Sequence, residues 1–160
     1  MSFIGIITNP KNKEYMLKRL SNHFHVIFIT DKNIEEVKDT KFETIIIDTN
    51  MKDIRNLKIV VANTKYIILN SDLVIDFDIL ENLNLMVISY GFNNKATFSV
   101  SSVTENNIII CLQRIIKDIF SEIYEPQEFE MKMDENIDIY AIISVCIILI
   151  FYQKIQILVK

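Results

Sequence analysis

Short apolar runs alternate with polar, helix-compatible stretches over the first 92 residues of the chain. The runs are rich in Ile and Val and are bounded by turn-forming residues, a pattern typical of strands buried on both faces. We predict such strands at residues 3–8, 26–30, 44–48, 58–62, 66–70 and 85–90. Because helical stretches separate them, the pattern favours a parallel sheet that is covered on both sides.

The stretches between these strands predict helices and turns. Residues 11–22 carry an apolar stripe that includes Tyr15 and Leu20, with lysines on the other faces, which is typical of an amphipathic helix. Residues 34–38 predict a short helical turn, and residues 73–83 predict a helix or an irregular turn.

The pattern changes after Gly91. Apolar and polar residues alternate at 96–101 and again at 128–133, which indicates strands with one exposed face. A turn at 105–107 joins the first of these to an apolar strand at 108–114. We therefore expect an antiparallel ribbon that continues the parallel sheet, with its core face built by Phe98, Val100, Phe129 and Met131.

The last segment is the most apolar part of the chain. Residues 139–152 form an uncharged run of 14 residues, about 21 Å long as a helix, whereas a bilayer core is roughly 30 Å thick. This length favours a helix over residues 137–153 that is buried against the protein or a second copy. Because Tyr140 and Tyr152 flank the run as interfacial aromatics do, a membrane-associated segment is the alternative.

Composition limits the classes of function. The chain has 160 residues and a net charge of −4, which predicts one domain without the basic footprint that nucleic acid requires. Two glycines exclude a glycine-rich phosphate cradle, and two histidines and two cysteines argue against a zinc site. We expect no metal and no cofactor.

Cys111 and Cys146 lie in apolar runs and are interpreted as buried thiols, with a disulfide as the alternative. The N-terminus lacks a signal-peptide pattern, so the expected compartment is the cytoplasm.

Together these patterns predict one α/β domain over residues 1–160, a Rossmann-like three-layer fold. Residues 1–92 form its parallel part, residues 93–134 its antiparallel strands, and residues 137–153 a C-terminal apolar helix.

Three strings in this order resemble the central, ATP-binding domain of the Mur ligases: YIILNSD at 66–72, LMVISYGF at 85–92 and KATFSVSSV at 95–103. In that family one strand ends in an acidic Asn-containing motif, and the next ends in an aromatic-Gly pair. An antiparallel ribbon with a small, polar start then follows. The resemblance implies an ancestor that used ATP to join an amino acid or peptide to a carboxylate through an acyl phosphate.

The family's phosphate loop aligns with residues 8–14 but is degenerate. Lys13 falls on the loop lysine, whereas Asn9 and Asn12 replace the two glycines and Glu14 replaces the hydroxyl residue that holds Mg²⁺. The glycines let the backbone wrap the phosphates, and Pro10 also removes one N–H donor. The alternative interpretation of Lys13 is a solvated helix residue.

The resemblance also implies that Asn70 and Asp72 lie beside the adenosine of ATP. Leu73 replaces the family's second acidic residue. The alternative is a strand-ending turn followed by an Asp helix cap, which the chain requires in any case. With Lys13, these two residues form the candidate nucleotide-binding set.

Other polar clusters give weaker indications. Asp48 ends a predicted strand, as the phosphoacceptor Asp of response-regulator receivers does, but the acidic pair that would hold Mg²⁺ is missing, which favours a turn residue. His23 and His25 are interpreted as a surface pair. Asp76 and Asp78, which follow Asp72, are interpreted as a solvated face.

The sequence thus predicts a non-catalytic, Mur-ligase-like domain that binds a protein partner or a small ligand, with a homodimer through the C-terminal helix as one form of partner. One alternative is a nucleotide-binding sensor or enzyme that uses Lys13, Asn70 and Asp72. Another is a membrane-associated accessory protein held by the C-terminal segment.

Overall fold

The computed structural model describes residues 1–74, 79–81 and 85–155. Its strands are β1 (Phe3–Ile7), β2 (His25–Phe28), β3 (Thr44–Ile47), β4 (Tyr66–Asn70), β5 (Met86–Tyr90), β6 (Phe98–Val103), β7 (Asn107–Leu112), β8 (Ile116–Lys117), β9 (Ile123–Tyr124) and β10 (Gln127–Lys132). Its helices are α1 (Lys13–Leu20), α2 (Ile34–Val37), α3 (Ile54–Ala62) and α4 (Ile139–Phe151), and a 3₁₀ turn at Pro10–Asn12 precedes α1.

Eight of the strands in the described ranges form one sheet in the order β10-β7-β6-β5-β4-β3-β1-β2. The pairs from β2 to β6 are parallel, and β7 is antiparallel to both β6 and β10. This confirms the predicted α/β class, the mainly parallel sheet and the antiparallel ribbon. Strand β2 lies on one side of β1 in the sheet, and β3, the next strand along the chain, lies on the other side of β1. The strand order therefore reverses between β1 and β3.

Helices cover both faces of the parallel part. Successive residues of a buried strand point to opposite faces, so Ile46 packs with α1 and α4 whereas Ile45 and Ile47 pack with α2 and α3. Runs of consecutive Ile residues are therefore buried on both sides.

Helix α4 lies inside the core of the domain. Every side chain from residue 141 to residue 151 is fully buried, and the lone hydroxyl in this stretch, that of Ser144, donates to the carbonyl oxygen of Ala141. At its end, Tyr152 Oη bonds to Thr44, the first residue of β3, and to Glu43, which precedes it. An uncharged helix is stable here because each of its faces meets apolar side chains. Within residues 1–74, 79–81 and 85–155, no helix combines the length and the hydrophobicity that a membrane span requires.

Residues 58–62 were predicted as a strand and instead form the second half of α3, so this prediction is wrong. Asp53 starts the helix, because its carboxylate accepts a hydrogen bond from the backbone N–H of Asn56. The buried residues Leu57, Val60 and Val61 then follow at helical spacing. The two adjacent valines favoured a strand locally, whereas the cap and the packing of this face decide for a helix.

The ribbon has the predicted core face. Phe98 and Met131 are buried, and Val100 and Phe129 pack against them partly exposed. The short β8–β9 hairpin between β7 and β10 was not predicted. Most of the segment predicted at 73–83 as a helix or turn lies outside the described residues, as do residues 156–160.

Candidate functional site

Polar side chains gather at the carboxyl edge of the parallel sheet. Strands β1, β3, β4 and β5 all end at this edge, and the strand order reverses between β1 and β3. In open α/β sheets, ligands bind outside the carboxyl ends of the strands at such a reversal. This edge is therefore where a functional site is expected.

Asp48, which directly follows β3, is the buried centre of this edge, with only 5% of its surface exposed. Its carboxylate accepts hydrogen bonds from Thr8 Oγ1 at 2.8 Å and from Tyr90 Oη at 2.6 Å. Burial raises the pKa of Asp48, and the nearby charge of Asp138 adds to this, whereas the bonds from Tyr90 and Thr8 and the neighbouring Asn70 oppose it. The result is a raised pKa.

Asn12 connects this buried carboxylate to the start of α4. Its Nδ2 donates to Thr8 Oγ1 at 3.2 Å and to Asp138 Oδ2 at 3.2 Å, and its Oδ1 accepts from the backbone N–H of Asp138 at 3.4 Å. Asn9 Nδ2 and Lys11 Nζ also bond to the Asp138 carboxylate, at 3.5 and 2.9 Å. Asp138 stands at the N-cap position of α4, but its side chain points across to the β1–α1 loop (residues 8–12).

Two backbone N–H groups at the β1–α1 loop are already bonded within this segment. The N–H of Asn12 donates to Asn9 O at 3.0 Å, and the N–H of Lys13 donates to Pro10 O. Pro10 has no N–H. A phosphate-binding loop needs several free N–H groups that point at one anion, and three positions of this segment, residues 10, 12 and 13, offer none.

Lys13 lies apart from the other two candidate nucleotide-binding residues. Its Nζ stands 5.7 Å from the centre of the Phe28 ring, at the end of the edge strand β2. Strands β1 and β3 separate β2 from β4, where Asn70 and Asp72 are located. The structure therefore places Asn70 and Asp72 together and Lys13 elsewhere, in contact with an aromatic ring.

Asn70 and Asp72 lie in the turn that follows β4, and their side chains bond to groups of the same chain. Asn70 Oδ1 accepts from the backbone N–H of Asp72, and the Asp72 carboxylate accepts from Phe92 N, Asn93 Nδ2 and Tyr140 Oη at 2.7, 2.7 and 2.9 Å. Partial burial raises the pKa of Asp72, but these donors outweigh it and hold the pKa below its usual range. Burial and the Asp72 carboxylate raise the pKa of Tyr140 to about 12.

Gly91 is the position where the end of β5 approaches this turn. A Cβ atom added at Gly91 would lie 2.7 Å from Asp72 Oδ1, closer than two such atoms can approach. The glycine of the Tyr90-Gly91 pair therefore lets the Asp72 carboxylate reach the backbone of the next residue, Phe92. This gives the aromatic-Gly pair a local structural reason.

The remaining candidates form no common site with these residues. The ring of His25 stacks on Phe3 near the start of β1 and β2, and His23 is half-buried beside it in sequence. Within residues 1–74, 79–81 and 85–155, no group of three or more His, Cys, Asp or Glu side chains is placed to hold a metal. Asp76 and Asp78 lie outside the described residues.

Sequence reasoning missed Asn12, Tyr90 and Asp138 as members of the network. Asn12 and Asp138 are 126 positions apart, so no local pattern links them. Asp138 does carry one signal: it precedes a long apolar run and so is a candidate helix cap. The sequence places Asp48 at the end of a predicted strand. Its burial between Thr8 and Tyr90 could not be predicted, because it depends on the order of the strands in the sheet.

A comparison with protein-family models finds no match to this chain, and a comparison with curated proteins finds no significant one. The resemblance to the Mur ligases therefore depends on the three strings alone.

Proposed function

We propose that this chain is a non-catalytic, Rossmann-like domain of Mur-ligase type that binds a protein partner or a small ligand without ATP. The observation that carries the proposal is the bonding of the β1–α1 loop to Asp138. In an ATP-dependent relative this loop would hold phosphates, whereas here its polar side chains hold a carboxylate of the same chain.

The electrostatics of the loop support this interpretation. Asp138 brings a negative charge to the position where a phosphate would have to approach, and Glu14 adds an exposed carboxylate at the start of α1. The bond from Lys11 is the main cause of the lowered pKa of Asp138, so this carboxyl group stays charged at neutral pH. The negative charges of these two carboxylates repel a triphosphate, which is also negatively charged.

The three strings of the resemblance occupy consecutive parts of the fold. The string at 66–72 spans β4 and its turn, the string at 85–92 spans β5, and the string at 95–103 spans β6. Their order along the chain supports descent from a Mur-ligase-type domain. The lost glycines and the closed loop support the loss of its ATP chemistry.

The burial of α4 favours a partner surface elsewhere on the domain. Because residues 141–151 are fully buried within the same chain, this helix has no free apolar face for a second copy. Cys111 and Cys146 are both free thiols.

Titration calorimetry of the full-length protein with Mg-ATP tests the proposal, with Lys13→Ala as the companion variant. We expect no binding heat from either protein and no ATP hydrolysis. Removing the contact between Lys13 and Phe28 should cost only about 0.5–1 kcal/mol of stability. A micromolar dissociation constant for Mg-ATP that is lost in Lys13→Ala would overturn the proposal and favour the nucleotide-sensor alternative.

A further inference from the structure

Strand β10 forms one edge of the eight-stranded sheet. It pairs with β7, and in the same register the N–H of Met133 donates to Asn106 O. Hydrogen-bonding groups alternate between the two sides of an antiparallel strand, so the odd-numbered residues of β10 bond to β7. The N–H and C=O groups of its even-numbered residues therefore point outward, away from the sheet.

In the described part of the chain, no strand pairs with the outer side of β10. Residues 156–160 follow α4, whose end lies beside β4, where Phe151 packs on Tyr66. The outer side of β10 is five strand spacings from β4, roughly 24 Å, whereas five residues extend at most about 18 Å. Residues 75–78 and 82–84 belong to the connection from β4 to β5, and described residues stand at both ends of each. The outer side of β10 is thus available to another chain.

The side chains of β10 alternate between two faces of the sheet. Phe129 and Met131 lie on the face that packs with α4, whereas Glu130 and Lys132 are exposed on the other face and carry opposite charges. If β10 pairs with an antiparallel copy of itself centred on Met131, Glu130 of each copy lies opposite Lys132 of the other. Met131 then meets its own copy, and Phe129 meets Met133, so apolar side chains also lie opposite apolar ones.

We infer that two copies of this chain associate through their β10 strands, in antiparallel register with Met131 on the two-fold axis. Adding a strand to a sheet edge is a common mode of recognition, in which main-chain hydrogen bonds provide affinity. The register follows from the charges, because a register centred on Glu130 would place two Glu130 side chains opposite each other. In the inferred register, the like-charged pair of Glu128 with Asp134 lies at the end of the pairing. The other sheet edge, β2, has four residues and no Lys, Arg, Asp or Glu among them.

This inference rests on the proposed function, in which the domain binds a protein partner, and it names a second copy as that partner. Five strands separate β10 from β1, which leads into the β1–α1 loop. Self-association through β10 and binding of Mg-ATP at the loop are therefore separate results.

Analytical ultracentrifugation of the full-length protein, from micromolar to near-millimolar concentrations, tests the inference. We expect a reversible equilibrium between monomer and dimer. Glu130→Lys and Lys132→Glu each place like charges opposite each other, so each should weaken the dimer at least about tenfold. Lys58→Glu, at an exposed position of α3, is the matched control and should leave the dimer unchanged. A wild-type protein that stays monomeric, or single variants that dimerise as strongly as the wild type, would overturn the inference.

A mixture of the two variants tests the register itself. When a Glu130→Lys chain faces a Lys132→Glu chain, opposite charges meet at both positions, so the equimolar mixture should dimerise about as strongly as the wild type. The double variant Glu130→Lys/Lys132→Glu should dimerise by itself for the same reason. A mixture that associates no more strongly than either variant alone would show that these side chains do not face each other, and the inference would fail.

Discussion

Asp48 and Asp138 belong to one chain of hydrogen-bonded side chains, yet their pKa values move in opposite directions. The chain runs from Tyr90 through Asp48, Thr8 and Asn12 to Asp138. Asp48 is buried and has no cationic partner among these contacts, so burial raises its pKa. Asp138 is partly exposed and bonded to Lys11, so its pKa is lowered. The two pKa shifts predict opposite changes of folding stability with pH.

Asp48→Asn should gain stability relative to the wild type as the pH rises. Because the folded pKa lies above the ordinary value of 3.8, the contribution of Asp48 is complete below that value and is lost as the pH rises through the folded pKa. Asn cannot ionise and can still bond to Tyr90 and Thr8. Urea unfolding at about pH 4 and about pH 7 measures the difference. A constant difference, or one that shrinks with pH, would contradict a buried carboxylate.

Asp138→Asn should show the opposite pH dependence. The folded pKa lies below 3.8, so the stability that Asp138 contributes is present above this value and is lost as the pH falls through the folded pKa. The variant should therefore be less stable than the wild type near pH 7, and added salt should reduce its deficit. Glu135→Gln, at an exposed acid of the same segment, should change stability by no more than about 0.5 kcal/mol. An Asp138 variant as stable as this control would mean that the contacts to the loop contribute nothing.

At the scale of elements, the sequence pattern predicted a strand correctly where one face of the strand is buried and the other is more exposed. The alternation at 96–101 predicted which face of β6 is buried, because side chains alternate across a strand regardless of its neighbours. Residues 58–62 were misassigned because a short apolar run satisfies both a buried strand and a buried helix. The helix cap at Asp53, five residues before that run, carried the missing information.

Phe98→Ala tests the packing of the ribbon. Phe98 is fully buried on the face of β6 that meets the main core, so its truncation should cost about 3–5 kcal/mol. Ser99→Ala, on the other, half-exposed face of β6, should cost no more than about 0.5 kcal/mol. Thermal or urea unfolding measures both. Equal costs for the two variants would mean that the ribbon is covered on both sides.

For the whole molecule, the main organising feature is the return of the C-terminal helix to the N-terminal half of the chain. Helix α4 contacts α1, β4, β5 and β6, and Asp138 before it bonds to the β1–α1 loop. The apolar character of this segment was visible in the sequence, but its position against β4, β5 and β6 was not. Pairings over more than a hundred positions, such as those of Asn12 with Asp138 and of Thr44 with Tyr152, depend on the order of the strands, which no local pattern encodes.

Deletion of residues 137–160 should remove the cover from one face of the sheet. The fully buried side chains of residues 141–151 fill the core there, so the product should be insoluble or should bind the dye ANS. Fractionation and dye fluorescence measure this outcome. A soluble, folded truncation without dye binding, together with full-length protein in the membrane fraction, would instead make this segment a membrane anchor.

In the proposed function, the β1–α1 loop holds α4 through Asp138 and binds no phosphate. The most direct test is a titration of ¹⁵N-labelled full-length protein with Mg-ATP, in which the backbone amides of residues 9–14 are followed by NMR. We predict that these amide signals stay unchanged up to millimolar Mg-ATP, because the N–H groups of Asn12 and Lys13 already donate within the loop. Saturable shifts of these amides at micromolar Mg-ATP would contradict the proposed function.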